Sequence, residues 1–199
     1  IKAAVDLALC GGVSAITTAP INKKSLHLAG YPFPGHTELL AHLTGSKQSV
    51  LMMAGKSLRV VLVTTHVPLG QVQPLITEER VLNTIRLTHE WLNRHVTDSP
   101  NIAVTGLNPH CGDGGIFGNE ESDFILPALK TVQMEGIQAS GPLSADALFG
   151  RPDAQKYDAV VCMYHDQGMI PVKMDSAGQG VNITLGLPIL RTSVDHGTA

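Results

Sequence analysis

The sequence predicts an α/β fold: a mostly parallel sheet with some antiparallel strands, sandwiched between helices. Three observations predict it. Short apolar runs rich in Val and Ile alternate with longer amphipathic stretches, the rhythm of strands joined by crossover helices. With 43% hydrophobic and 16% charged residues over 199 positions, the chain is apolar enough to bury a sizeable core and too apolar for disorder. Gly55-Lys56-Ser57 lies between two apolar runs and reads as a hairpin turn, which brings in antiparallel pairing.

Taken in order, Ile1, Ala4, Val5, Ala8 and Leu9 recur at helical spacing before a Gly11-Gly12 stop, so the chain opens on what reads as the second half of a helix. Strands are expected at residues 13–18, 50–54, 59–64, 102–105 and 159–163, with a further one at 181–185. Helices are expected at 22–29, 37–43, 78–95 and 121–133. In the third, Val81, Leu82, Ile85, Trp91 and Leu92 share a face, and Thr77 before Glu78-Glu79 suits an N-cap. The stretch from Arg191 to Ala199 is polar and offers no closing element, so both ends predict a piece of a longer protein. No internal repeat is visible.

Charge and cysteine usage exclude several classes of function. Lys and Arg number 14 against 17 Asp and Glu, a formal charge of -3, and no basic run offers the footprint of a nucleic-acid binder. No apolar run approaches the roughly 20 residues of a membrane span, and no basic n-region opens the chain as a signal peptide would. Cys10, Cys111 and Cys162 are odd in number and widely spaced, which suits neither a disulfide framework nor a zinc ribbon. A reducing, cytoplasmic setting is expected.

Chemistry concentrates where strands end. VVLVTT runs into His66, IAVTGLNP into His110, and VVCMY into His165. The carboxyl edge of an open α/β sheet is where such folds place ligands, so three strands can aim imidazoles at one crevice. That pattern suits a catalytic metal with three protein ligands, although each histidine alone is also readable as a turn residue. Asp166 is readable as an acceptor that orients His165 or as a turn carboxylate. The loop NPHCGDGGIFG carries Gly112, Gly114, Gly115 and Gly118, which permit close approach to a ligand or simply relieve φ strain.

Two further segments suit a small anion. His36 and Thr37 stand where a helix begins, and free first-turn amides favour negative charge there, while Thr37 is equally readable as an N-cap. Lys173 and Arg191 lie in apolar sequence with Asn182 between them. Each cation needs a partner, either a phosphate or carboxylate ligand or the nearby Asp175 and Asp195. Other motifs fail: Val50 stands where a P-loop needs its leading glycine, and Phe117 where the dinucleotide fingerprint needs its last. Thr192-Ser193 near His196 has no nucleophile elbow, which argues against serine hydrolysis.

Together, GHTE at 35–38, TTHVPL at 64–69, GLNPH at 106–110, YHDQG at 164–168, GVNITLGLP at 180–188 and RTSVDHGTA at 191–199 closely resemble the 4-hydroxythreonine-4-phosphate dehydrogenase family of vitamin B6 biosynthesis. The resemblance runs through nearly the whole chain. It implies a two-lobed, mixed-sheet α/β/α architecture similar to isocitrate and isopropylmalate dehydrogenases, working as a homodimer with its cleft near the subunit boundary. It implies that His66 and His110 bind a divalent metal together with His165 of the neighbouring subunit. It also implies that His36, Thr37, Lys173, Asn182 and Arg191 contact a small phosphorylated substrate, with Asp146 beside them. Cys111 and Asp113 stand where Ala and Glu are the family's expected residues.

The implied activity is NAD-dependent, possibly NADP-dependent, metal-assisted oxidation of 4-phosphohydroxy-L-threonine, with decarboxylation of the β-keto acid. Lys173 is the candidate for proton transfer and Asp166 the competing base. Zn, Co, Ni and Mn suit imidazoles, and Mg is tolerated only with oxygen ligands from the substrate. The resemblance further implies that residues 1–199 are a partial dehydrogenase chain covering the metal and substrate cleft, with family segments on both sides and the cofactor-holding residues outside. A catabolic sibling oxidising a four-carbon sugar-acid phosphate or a ring diol, a non-catalytic metal and phosphate-binding fragment, and a zinc hydrolase are the competing readings.

Overall fold

The computed structural model describes residues 1–33 and 35–196, so the last three residues of the 191–199 motif lie outside it. In chain order the elements are α1 (Lys2–Leu9), β1 (Ala15–Thr18), α2 (Lys23–Leu28), α3 (His36–Thr44), β2 (Val50–Ala54), β3 (Arg59–Leu62), a short α4 (Val72–Leu75) and α5 (Glu78–His95). There follow β4 (Asn101–Thr105), α6 (Leu126–Met134), β5 (Gln138–Leu143), α7 (Ala145–Phe149), β6 (Ala159–Cys162), α8 (His165–Ser176), β7 (Val181–Leu185) and β8 (Leu190–Val194).

Eight strands form one sheet in the order β1-β8-β7-β2-β3-β6-β4-β5. Strands β3, β6, β4 and β5 are mutually parallel, whereas β2 pairs antiparallel with both β3 and β7, and β7 antiparallel with β8. The mixed α/β/α sandwich therefore has the expected character. The hairpin is also present: the Gly55 amide donates to the Leu58 carbonyl at 2.7 Å between β2 and β3.

Period-2 alternation decides which face each strand residue serves. Val61, Val104 and Val161 join the cluster under α5 and α6, while Val60, Ala103, Val160 and Cys162 join the opposite cluster under α7 and α8. Each Val- or Leu-sized side chain so buried contributes roughly 1.5–3 kcal/mol. A third cluster of Val5, Ile16, Leu40, Leu187 and Ile189 joins α1, α3 and β1 at the far end of the sheet. On α5, Thr77 caps the Arg80 amide at 3.3 Å, and Val81, Ile85 and Leu92 are buried.

Five elements depart from expectation. The polar terminal stretch supplies β8, an internal strand between β1 and β7, because Arg191 turns inward to hydroxyl partners rather than to water. Helix α8 was hidden by Gly168 and Pro171. A Cβ on Gly168 would stand 3.0 Å from Leu62 and 3.1 Å from the Cys162 sulfur, so glycine lets this helix lie close on the sheet. Strand β5 contains Gly141-Pro142, which breaks a strand pattern. The short α7 is too brief for a periodic signal. The helix expected at 121–133 begins instead as a π-helical turn, Glu121–Ile125, before α6.

Candidate active site

The order β3-β6-β4 determines the geometry of the histidines. The three strands are adjacent and parallel, so His66, His165 and His110 all emerge beyond the same edge, with the strand of His165 in the middle. Two of the rings come together: the His66 and His165 centroids are 5.3 Å apart, inclined at 45°. His165 Nδ1 lies 2.7 Å from Asp166 Oδ1, a contact that holds the ring through this nitrogen. The Asp166 side chain is 72% exposed, and its contact with His165 is the one an orienting acceptor would make.

His110 stands apart from that pair. It is exposed on the turn Pro109–Gly115, where five consecutive residues, His110 to Gly114, have φ between 44° and 82°. Three of them carry side chains, and each L-residue held left-handed costs roughly 1–2 kcal/mol. Gly112, inside the run, has no room for a Cβ: it would lie 2.7 Å from the Gly118 carbonyl oxygen and 2.9 Å from a Glu121 carboxylate oxygen. Sequence reasoning saw the glycines but not the left-handed run, because three side-chain-bearing residues in that conformation have no compositional signature. His110 lies within electrostatic reach of Asp146 on α7. The Ser144 hydroxyl and the Ala147 amide hold the Asp146 carboxyl below its usual range, and His110 adds to that.

Two residues that sequence reasoning passed over tie these loops together. Gln167 accepts from Thr105 Oγ1 at 2.9 Å and from the Met163 amide at 2.7 Å, and donates to the Gly106 carbonyl at 2.8 Å, linking the starts of the His165 and His110 loops. Glu121, 4% exposed, accepts from the Leu107 and Asn108 amides, each at 2.7 Å. The only signals were Gln167 inside YHDQG and Glu121 at a helix start, neither of which specifies a partner.

Beside His66 opens a cavity of about 1210 Å³ that also holds His36, Thr37 and Asn182. Helix α3 starts at His36 with Gly35 at the cap position and no side-chain cap, so Thr37 lies inside the first turn and is not the N-cap. Asn182 Oδ1 is buried without a hydrogen-bond partner, an acceptor that a bound donor would satisfy. Arg191 is 3% exposed, and its described partners are hydroxyls alone: Thr18 Oγ1 at 2.6 and 3.2 Å and Thr184 Oγ1 at 2.9 Å. Burial lowers its pKa, and burial together with the Arg191 charge pushes the His36 imidazole down. A buried cation without a counter-ion among the described residues is an electrostatic demand for an anion.

Lys173 is exposed rather than embedded in apolar surroundings, because it lies on the solvent side of α8. Its Nζ is 3.6 Å from Asp195, which lines the same cavity as His36. Asp175 is not its partner; that carboxylate accepts from Ser57 N, Ser57 Oγ and Leu58 N and pins the hairpin. Asp146 and Asp166 line a second, smaller cavity of about 550 Å³ between α7 and α8.

Imidazole nitrogens suit a borderline divalent ion in donor chemistry. Among the described residues of one chain, no three His, Cys, Asp or Glu side chains gather into a metal-holding group. Cys10, Cys111 and Cys162 are all unbridged. Among the described residues no helix is long and apolar enough to cross a membrane.

Comparison with known proteins gives a consistent picture. A family model described as the pyridoxal phosphate biosynthetic protein PdxA matches residues 1–199. The chain is 58% identical over 196 residues to a 4-hydroxythreonine-4-phosphate dehydrogenase of Geobacter metallireducens, covering 98% of the chain and 58% of that protein. It is 49% identical over 200 residues to a protein of Oceanobacillus iheyensis named as a candidate D-threonate 4-phosphate dehydrogenase, covering 100% of the chain and 60% of that protein. The crystal structure of 4-hydroxythreonine-4-phosphate dehydrogenase from Klebsiella pneumoniae superimposes with a TM-score of 0.93 at 45% identity, covering 100% of this chain and 60% of that one. A β-decarboxylating dehydrogenase from Thermococcus kodakarensis shares the fold alone, with a TM-score of 0.54 at 13% identity, covering 91% of this chain and 62% of that one. The chain spans about three fifths of the length of the curated relatives it matches.

Proposed function

The chain belongs to the PdxA family of pyridoxal phosphate biosynthetic proteins, and from that premise we propose that it forms the metal and substrate cleft of an NAD(P)-dependent dehydrogenase. The proposed substrate is 4-phosphohydroxy-L-threonine, oxidised to 2-amino-3-oxo-4-phosphooxybutanoate, which loses carbon dioxide to give 3-amino-2-oxopropyl phosphate. Arg191 is the observation that carries this reading: a guanidinium buried against threonines, its charge felt by His36 on the wall of the large cavity, suits a phosphate or carboxylate. Name and site agree, since the Geobacter relative acts, by its name, on a phosphate ester.

In this reading the first-turn amides at His36 and Thr37 and the charge of Arg191 seat the phosphate, while Asn182 takes a substrate donor on its open Oδ1. So anchored, the substrate is held with its hydroxyl toward His66. His66 and His110 would hold a divalent ion, Zn, Co, Mn, Ni or Mg, together with His165 of the partner subunit, the set being completed across a homodimer. When bound, that ion supplies Lewis acidity to the reacting oxygen. Lys173 carries or stabilises the proton released there, with Asp166 orienting His165 or competing as base. A bound nicotinamide would supply the hydride acceptor, and the segments that would hold it are expected outside residues 1–199. Three unbridged thiols fit a cytoplasmic setting.

A second reading, oxidation of a four-carbon sugar-acid phosphate, is favoured by the Oceanobacillus relative at 49% identity. One assay separates them. The full-length protein with NAD and a divalent ion is expected to generate reduced nicotinamide from 4-phosphohydroxy-L-threonine in preference to erythronate or threonate 4-phosphates. The reverse preference establishes the sibling reaction, and metal binding without reduction of NAD on any of them overturns the dehydrogenase reading.

A further inference from the structure

We propose that Glu121, seconded by Asn108 and Glu120, is a positioning residue that locks the left-handed turn and so aims His110; this rests on the reading of His110 as a metal ligand. The carboxylate of Glu121 sits under the turn rather than at the surface. One oxygen accepts from the Leu107 and Asn108 amides, each at 2.7 Å, and the other accepts from Asn108 Nδ2 at 3.0 Å. Asn108 Nδ2 also reaches Glu120 Oε2 at 2.6 Å, and Glu120 in turn accepts from Gln73 on α4. Both carboxylates are buried, at 7% and 4% exposure for Glu120 and Glu121, and each is satisfied by amides rather than by a cation.

The arrangement is specific to the turn. Asn108 lies two residues before the left-handed run, and its carbonyl accepts from the Cys111 amide at 3.1 Å. On the far side, a Cβ on Gly112 would approach Glu121 to 2.9 Å, and one on Gly106 would approach it to 3.0 Å. The approach to the run is thus hydrogen-bonded to one buried carboxylate, against which Gly112 in the middle of the run lies closely, and a left-handed run persists where its surroundings over-determine it. Glu121 opens the π-helical turn Glu121–Ile125 that leads into α6. Aromatic or aliphatic residues at position 121 would fill the space but leave the Leu107 and Asn108 amides without acceptors.

Glu121→Gln tests the lock, since its amide group faces the Asn108 amide donor to donor. In the full-length protein loaded with Co²⁺, the expected result is a Co²⁺ affinity about 10- to 100-fold weaker and an altered d–d absorption band. Inorganic phosphate binding at the cavity lined by His36 and Thr37 should change less than twofold. His110→Ala is the reference and should lose Co²⁺ from the site. If His110→Ala keeps Co²⁺, the ligand assignment fails and the lock falls with it. If His110→Ala loses Co²⁺ while Glu121→Gln keeps wild-type affinity and spectrum, the lock alone is overturned. Asn108→Ala, which spares both backbone amide bonds, should show the same spectral change at a smaller affinity loss; an unchanged spectrum in that variant overturns the lock should Glu121→Gln fail to fold.

Discussion

The two halves of the sheet handle charge in opposite ways. In the parallel half, β3, β6 and β4 are apolar inside and deliver His66, His165 and His110 on loops beyond their carboxyl ends. In the mixed half, a full cation is placed inside a strand: Arg191 belongs to β8, 3% exposed and surrounded by threonine hydroxyls. One half presents neutral donors suited to a cation, and the other stores positive charge suited to an anion. A substrate spanning the two would be held at its phosphate by one and activated at its hydroxyl by the other, so neither half is sufficient for the chemistry.

The comparison breaks most visibly at the imidazoles. His165→Ala in the full-length protein should lower metal-dependent turnover by about a thousandfold or more, since several kcal/mol of charge stabilisation are lost. Phosphate binding, measured calorimetrically, should remain. Arg191→Met should do the converse, weakening phosphate binding by about a hundredfold, the equivalent of roughly 3 kcal/mol. Because that variant also removes a buried, uncompensated charge, its stability to urea should stay within about 1 kcal/mol of the parent. An equal loss of metal and phosphate binding in either variant would show that the halves are not separable.

Smaller effects sharpen the distinction. Asp166→Asn keeps the shape of the His165 contact but weakens its hold on the ring, so metal affinity should fall by about tenfold. If Asp166 is instead the general base, turnover falls far more than affinity and the acid limb of the pH–rate profile disappears. The smallest effect concerns His36. Its pKa is lowered in the folded protein by burial and by Arg191, so the unfolded chain binds its proton more readily. The stability His36 contributes is then fully present above its unfolded pKa near 6.5 and declines as pH falls through the lower folded value. Melting temperatures taken from pH 8 to pH 5.5 should show His36→Gln losing part of that decline.

The same division explains what could be read beforehand. Strands of the parallel half announce themselves as Val-rich runs, and the histidines that end them are punctuated by Pro, Gly and Asp, so the shared sheet edge was legible residue by residue. The 5.3 Å approach of His66 to His165 was not, because it depends on β6 lying next to β3, a long-range pairing that no local pattern encodes. In the mixed half, LRTSV of β8 looks like a polar tail, since its inward arginine finds its partners on β1 and β7. Gly168 and Pro171 likewise concealed α8, one by making room for the sheet and the other by removing an amide from the helix interior. The His110 turn was legible only as a glycine-rich loop; its handedness is imposed by Asn108 and Glu121 from outside the run.

The most direct test of the account is an anomalous difference map at the zinc edge from crystals of the full-length protein grown with zinc. The account predicts one peak per site about 2.0–2.1 Å from nitrogens of His66, His165 and His110, with at least one of the three donated by a second copy of the chain. A map with no peak at these rings, or with an ion held by other residues and the three histidines turned away, would contradict it.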